Sequence, residues 1–379
     1  MKSKLSRWVV RATVVLAAVA AVLSLAGWAV LSQPQFGAPM DSARLARAMA
    51  NPQYREGRFT NLEPETPTSA AAVGDYVVRQ FSGDEMREPP RPVPVLTVDE
   101  AVLAAAPPPR GLRAFWIGHA SVYVELDGLR FLLDPVFAER ASPLPVGPTR
   151  FHSPPIALAD LPAIDAVLIS HDHYDHLDMD TVRHLAGRGS RFYVPLGIGA
   201  HLERWGVPAG QIEELEWWQQ RMVGSVRIVC TPTRHYSGRA PGVRSPTLWS
   251  SWSVIGPQHR FFYSGDTGYS KHFGDIGARL GPFDIAFIKI GAYGPGASWV
   301  DIHMPPEQAV QVHRDVRGKR MFPVHWSTFN LAYHDWDEPI RRTAAEAART
   351  GVELVTPRVG EWVDADRAFE STRWWEAVR

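Results

Sequence analysis

Between positions 171 and 176 the chain reads His171-Asp172-His173-Tyr174-Asp175-His176, three imidazoles and two carboxylates within six residues, directly after the apolar run AVLIS. Neutral imidazole and carboxylate suit zinc, and also manganese or iron, and donors packed so densely repel one another unless a cation is present. The spacing makes two pairs: His171 with His173 can grip one ion, while Asp175 with His176 turns toward a second. An apolar strand running into a polar loop is where α/β proteins hold their sites, because the sheet fixes the loop and the loop meets solvent. Further donors follow strand-like runs: His235 after VRIVC, Asp266 in SGDTG after RFFY, and His325 at the end of MFPVH. A carboxylate on a glycine-flanked turn can offer its two oxygens to two ions and bridge them. Taken singly, His235 or His325 is as readily a packed or solvated histidine; their order after the six-residue cluster favours the ligand reading.

Such donors need short buried strands to position them, and the texture from Gly111 onward supplies these. Residues 114–118, 121–126 and 129–134 predict a meander with Asp127-Gly128 as a tight hairpin turn. Runs at 166–170, 226–230, 249–255, 260–264, 284–290 and 321–325 predict further strands, and 179–185, 306–314 and 338–349 predict helices. Strands in clusters with helices between them imply a layered α/β sandwich, sheet covered by helix. Residues 32–110 are polar and irregular, with proline-rich stretches at 88–94 and 107–109 that read as extended spacers around a short helix near 98–106.

With these stretches in view the chain resembles the metallo-β-lactamase-fold hydrolases, whose pattern is HxHxDH, then His, Asp and His. Within them it is similar to the branch containing N-acyl-phosphatidylethanolamine-hydrolysing phospholipase D. The supporting phrases are FWIGHASVYVELDGLRFLLDPVFAERASP from Phe115, IDAVLISHDHYDHLD from Ile164, LWSSWSVIGP from Leu248, FFYSGDTGY from Phe261, and IGAY with HMPPEQAV between Ile290 and Val310. The resemblance implies a four-layer αββα sandwich with two zinc ions, one held by His171, His173, His235 and Asp266, the other by Asp175, His176, Asp266 and His325. It gives Asp134 a supporting place behind the metal loop, makes His119 a structural turn residue, and sets His303 near the scissile phosphate of a phospholipid substrate. Asp266 and Asp175 would join His303 in catalysis. The activity implied is phospholipase D-type phosphodiester hydrolysis that releases the head-group alcohol. Two departures fall on the substrate side: Gly294-Pro295-Gly296 replaces an acidic-Pro-Arg triplet, and Lys289 stands in IKIGAY.

Forty basic against forty acidic residues give no net charge, which argues against nucleic acid as a partner. The single cysteine, Cys230, excludes an intramolecular disulfide and Cys-rich zinc folds. Lys2, Lys4, Arg7 and Arg11 precede 19 uncharged residues at 13–31. That is close to the ~20 needed to cross a hydrocarbon core and longer than a secretory h-region. The division expected is a basic cytoplasmic tail at 1–12, a transmembrane signal anchor at 13–31, the extension at 32–110, the hydrolase domain at 111–365 and a C-terminal tail at 366–379. The domain then lies on the non-cytoplasmic side, or is secreted if the segment is cleaved. Competing functions are a lactonase or other carboxylic ester or amide hydrolase on the same dinuclear site, a non-enzymatic envelope protein, and a diiron redox protein. A full set of seven ligands argues against the envelope protein, since structural sites close on one ion.

Overall fold

The computed structural model describes residues 2–379; of the basic tail expected at 1–12, Met1 lies outside the described residues, as do the side chains of 2–7. Two seven-stranded sheets carry the fold. In the first, Trp362–Asp364, Leu112–Gly118, Ser121–Leu126 and Leu129–Leu133 pair antiparallel, and Ala166–Leu168, Arg191–Pro195 and Ile212–Leu215 continue in parallel. In the second, Glu353–Leu354, Gly318–Val324, Phe283–Lys289 and Arg260–Tyr263 are parallel, continued antiparallel by Ser251–Ile255, Val226–Thr231 and Gln220–Val223. The Asp127-Gly128 turn has positive φ at both residues, 46° and 91°, as a two-residue hairpin of right-handed twist requires.

Alternation along each strand decides which face a side chain takes. Ala114, Trp116, Val122 and Val124 meet Ile228, Cys230, Trp252 and Val254 in one core between the sheets. Phe115, Ile117 and Tyr123 turn outward instead, beneath Val182 and Leu185 of the helix Met179–Gly187. The helices His272–Leu280 and Pro306–Asp315 contribute Phe273, Ile276, Val310 and Val312 to the core of the second sheet. The layers are therefore helix, sheet, sheet, helix, the αββα sandwich expected.

The segment 32–110 is more ordered than its prolines suggest. Besides the short helix, which runs over Glu100–Ala104, it holds the helices Ser42–Ala50 and Ala70–Phe81 and a small hairpin, Tyr54–Arg55 with Arg58–Phe59. Both added helices start at a side-chain cap, Asp41 accepting from Arg44 N and Ser69 from Ala72 N, a local signal that outweighs composition. Residues 366–379, expected as a tail, end in the helix Trp374–Val378, whose two tryptophans are buried in the main core. At the other terminus the helix Lys2–Leu31 includes 24 residues, Trp8–Leu31, long and apolar enough to cross a membrane and 0% buried.

Candidate metal centre

The donors gather at one end of the sandwich, each where a strand ends. His119 lies in the turn after Leu112–Gly118, Asp134 follows Leu129–Leu133, and the 171–176 loop follows Ala166–Leu168. His235, Asp266 and His325 follow Val226–Thr231, Arg260–Tyr263 and Gly318–Val324. His119, Asp134 and His325 have φ of 52°, 36° and 65°, a left-handed backbone that such residues hold only where the surroundings impose it, as functional sites do. Gly265, at φ +55°, is required for a different reason: a Cβ there would stand 2.7 Å from both Ser170 Cβ and Ser250 O. Only glycine lets this turn carry Asp266 down beside the 171–176 loop.

His171, His173 and His235 form one group. His173 Nδ1 lies 2.9 Å from His171 Nε2 and 3.4 Å from His235 Nε2. Nitrogens bound at ~2.0–2.1 Å to one tetrahedral ion stand roughly 3.3 Å apart, so this spacing fits a single cation. The far nitrogens are aimed from behind, His171 Nδ1 by Ser170 Oγ at 2.9 Å and His235 Nδ1 by donation to Ile302 O at 3.0 Å. Asp175, His176 and His325 form the second group, Asp175 Oδ2 lying 3.4 Å from both His176 Nε2 and His325 Nε2. Buried Asp134 accepts from Ser170 N and Tyr263 Oη and faces His176 Nδ1 at 2.7 Å, which fixes that ring. Asp266 stands between the groups, Oδ1 3.1 Å from His325 Nε2, and Oδ2 3.4 Å from His176 Nε2 and 3.8 Å from His235 Nε2.

Whether these residues suit a metal can be tested on their unmet bonds. His176 Nε2, His325 Nε2 and Asp266 Oδ1 are buried without a hydrogen-bond partner. Buried polar atoms are normally satisfied, so three orphans converging on one spot fit a place built for a cation. Charge agrees. Burial, reinforced by the neighbouring imidazoles, pushes His171 well below the usual imidazole range, and burial does the same to His235, leaving both as neutral donors. Burial alone would raise Asp175 and Asp266, but His176 beside the first and His325 beside the second hold both carboxylates well below their usual range. His176 goes the other way: burial opposes its charge, yet Asp266 and Asp175 overcome burial and raise it well above the imidazole range. A proton drawn to that ring stands where a cation would displace it.

The remaining sequence candidates fall into place around this core. Asp172, the other acid of the cluster, turns away from it and accepts from Gly238 N at 2.6 Å and Thr247 Oγ1 at 3.1 Å, facing His201 Nε2 at 3.2 Å. His119 does more than shape its turn. Burial lowers its pKa to about 3, and its Nε2 reaches Asp175 Oδ2 at 2.9 Å. His303 brings Nδ1 to 2.8 Å from Lys289 Nζ and 3.7 Å from Asp266 Oδ2. Lys289 is wholly buried, which brings its ammonium down to about 8 against the pull of Asp266 and Asp175. A lysine closing the strand Phe283–Lys289 is a sequence sign of a buried charge, but it does not name His303 as the partner. Over the group lies a pocket of about 420 Å³ with His173, Asp266 and His303 on its floor and Tyr76, Tyr236 and Trp299 in its walls. Tyr76 comes from the helix Ala70–Phe81, so the N-terminal segment helps to enclose the site.

Residues 129–326 match a family model described as the beta-lactamase superfamily domain. An uncharacterized protein of Mycobacterium tuberculosis (strain ATCC 25618 / H37Rv) is 44% identical over 341 residues, 86% of this chain and 87% of the relative. The N-acyl-phosphatidylethanolamine-hydrolyzing phospholipase D 1 of Caenorhabditis elegans is 38% identical over 274 residues, 68% of this chain and 77% of the relative. Among solved structures, an isothiocyanate hydrolase from Delia radicum gut bacteria matches with a TM-score of 0.53 at 19% identity, over 69% of this chain and 100% of that one, a likeness of fold.

Proposed function

Because the chain belongs to the metallo-β-lactamase superfamily and is a metal-dependent hydrolase, we propose that it holds two zinc ions and cleaves the phosphodiester of a phospholipid. The reaction would be of phospholipase D type, on an N-acyl-phosphatidylethanolamine or a related lipid, as the worm relative's name suggests. His171, His173, His235 and Asp266 would hold one ion, and Asp175, His176, Asp266 and His325 the other. When bound, such ions supply Lewis acidity that acidifies water and offsets charge on a phosphoryl group. The observation that carries the reading is Asp266, a single carboxylate whose two oxygens face imidazoles of both groups.

The chain's own residues do the rest. His119 holds Asp175 at its Oδ2, and Asp134 holds His176 at its Nδ1, so both donors are fixed before substrate arrives. Burial and the Lys289 charge keep His303 well below the usual imidazole range, so its ring is neutral. The Lys289 ammonium donates to Nδ1, and the ring proton therefore sits on Nε2. That N–H is the group that meets a non-bridging phosphate oxygen and stabilises the charge developing there. Where Gly294-Pro295-Gly296 departs from the related branch, Trp299 lies directly on Gly294, at a place a Cβ would fill. The wall there is aromatic and uncharged, which suits a lipid. As part of the same proposal, the helix Trp8–Leu31 anchors the domain to a membrane from the non-cytoplasmic side.

Product analysis tests the proposal. Purified protein should convert N-acyl-phosphatidylethanolamine to phosphatidic acid and an N-acylethanolamine, read by mass spectrometry. Hydrolysis of lactones or carboxylic esters with no lipid cleavage would overturn it in favour of acyl chemistry.

A further inference from the structure

Tyr174, inside the 171–176 cluster, lines two cavities: the pocket over the metal donors and a second, largely apolar groove of about 760 Å³. One wall of the groove is the N-terminal helix, through Leu23, Ala26, Gly27, Val30 and Leu31. Those positions recur at three- and four-residue intervals, a single helix face about 12 Å long. The facing wall is made by two loops, one carrying Pro143 and Leu144, the other Ala240 and Pro241. The first loop also gives Ala141 to the metal pocket, so the two cavities share both a loop and a ring.

The chain just after the helix is held to the metal loop. Arg239 donates through Nη1 to Asp172 O at 2.7 Å and Leu177 O at 2.9 Å, and through Nε to Gln35 O at 3.1 Å. Trp205 Nε1 donates to Pro34 O at 2.7 Å, and Gln35 Nε2 to Pro143 O at 3.1 Å. Arg239, the one charged residue lining the groove among those described, thus spends its donors on backbone carbonyls. At the loop tips Leu144, Val146 and Val243 are 37%, 63% and 48% exposed. Apolar side chains grouped there, beside a helix apolar enough to span a bilayer, are suited to an interfacial position.

We propose that this groove takes up one acyl chain of a membrane lipid alongside the protein's own helix and leads the lipid's head group past Tyr174 to the metal pocket. An apolar groove gains nothing by filling with water, whereas a hydrocarbon chain satisfies it. The proposal rests on the phospholipid reading above and gives it a route from bilayer to site.

The test uses the full-length chain in phosphatidylcholine vesicles. A phospholipid with a photoactivatable acyl chain should label peptides of residues 143–144 or 240–241, which line the groove and lie outside the apolar helix. Two variants address function: Gly27→Phe, where an added Cβ meets nothing within 4 Å, and Leu144→Asp at the mouth. The ratio of kcat/KM for long-chain phospholipid to kcat/KM for bis(p-nitrophenyl) phosphate should fall about tenfold or more in each, as expected when a chain loses apolar contact. An unchanged ratio in both variants, or label confined to other peptides, overturns the groove. If the label maps to the groove while the wild type cleaves no phospholipid, the groove stands and the substrate reading falls.

Discussion

Asp266 matters most at the scale of single residues, because its two oxygens face imidazoles of both donor groups. Asp266→Asn keeps its shape and removes the charge that would offset repulsion between two cations. Metal content and turnover should fall together, turnover by more than about a hundredfold, above the 10–100-fold typical of outer partners. His235→Ala should cost less, and elemental analysis beside kinetics separates the two. His303→Ala should keep both metals and lower kcat/KM for a phosphodiester roughly ten- to ten-thousandfold, the range for losing a charge-stabilising or proton-transferring group; a drop in metal content would instead make His303 a ligand. The seven candidate donors, which the fold brings together, stand out in the sequence because their order along the chain is distinctive. The contacts of His119 with Asp175 and of Lys289 with His303 do not, since each involves loop residues apart in the chain and depends on how those loops fold over the strand ends.

At the scale of elements, the site depends on turns that bring strand ends together. Gly265→Ala should destabilise the fold by about 1–3 kcal/mol and displace Asp266, because any Cβ strains that backbone and meets Ser170. A lowered Tm with reduced metal content would show it, and an unaltered Tm would mean that the turn does not need glycine at 265. Strands leading to the donors are legible from short runs that are mostly apolar or alternate with polar residues, as in 226–230 and 260–264. Edge strands are not: Ile212–Leu215 and Gln220–Val223 carry Glu213, Glu214 and Arg221, the kind of charge that keeps a sheet edge from pairing further and that also masks the strand in sequence. The helices Ser42–Ala50 and Ala70–Phe81 are masked in the sequence because prolines on either side dominate the composition of that segment.

For the whole molecule, the helix Lys2–Leu31 is separable while the chain just after it is not. Deleting residues 1–31 removes a span that is 0% buried and leaves Pro34 and Gln35 docked on Trp205 and Pro143. The truncated protein should stay in solution without detergent, bind metal and turn over small phosphodiesters; failure to fold would mean that the helix belongs to the core. The central claim, two ions acting together on a phosphodiester, is tested most directly by adding zinc stepwise to metal-free protein while following phosphodiester hydrolysis. The account predicts that activity rises mainly with the second equivalent and levels at two ions per chain, and full activity at one ion per chain would contradict it.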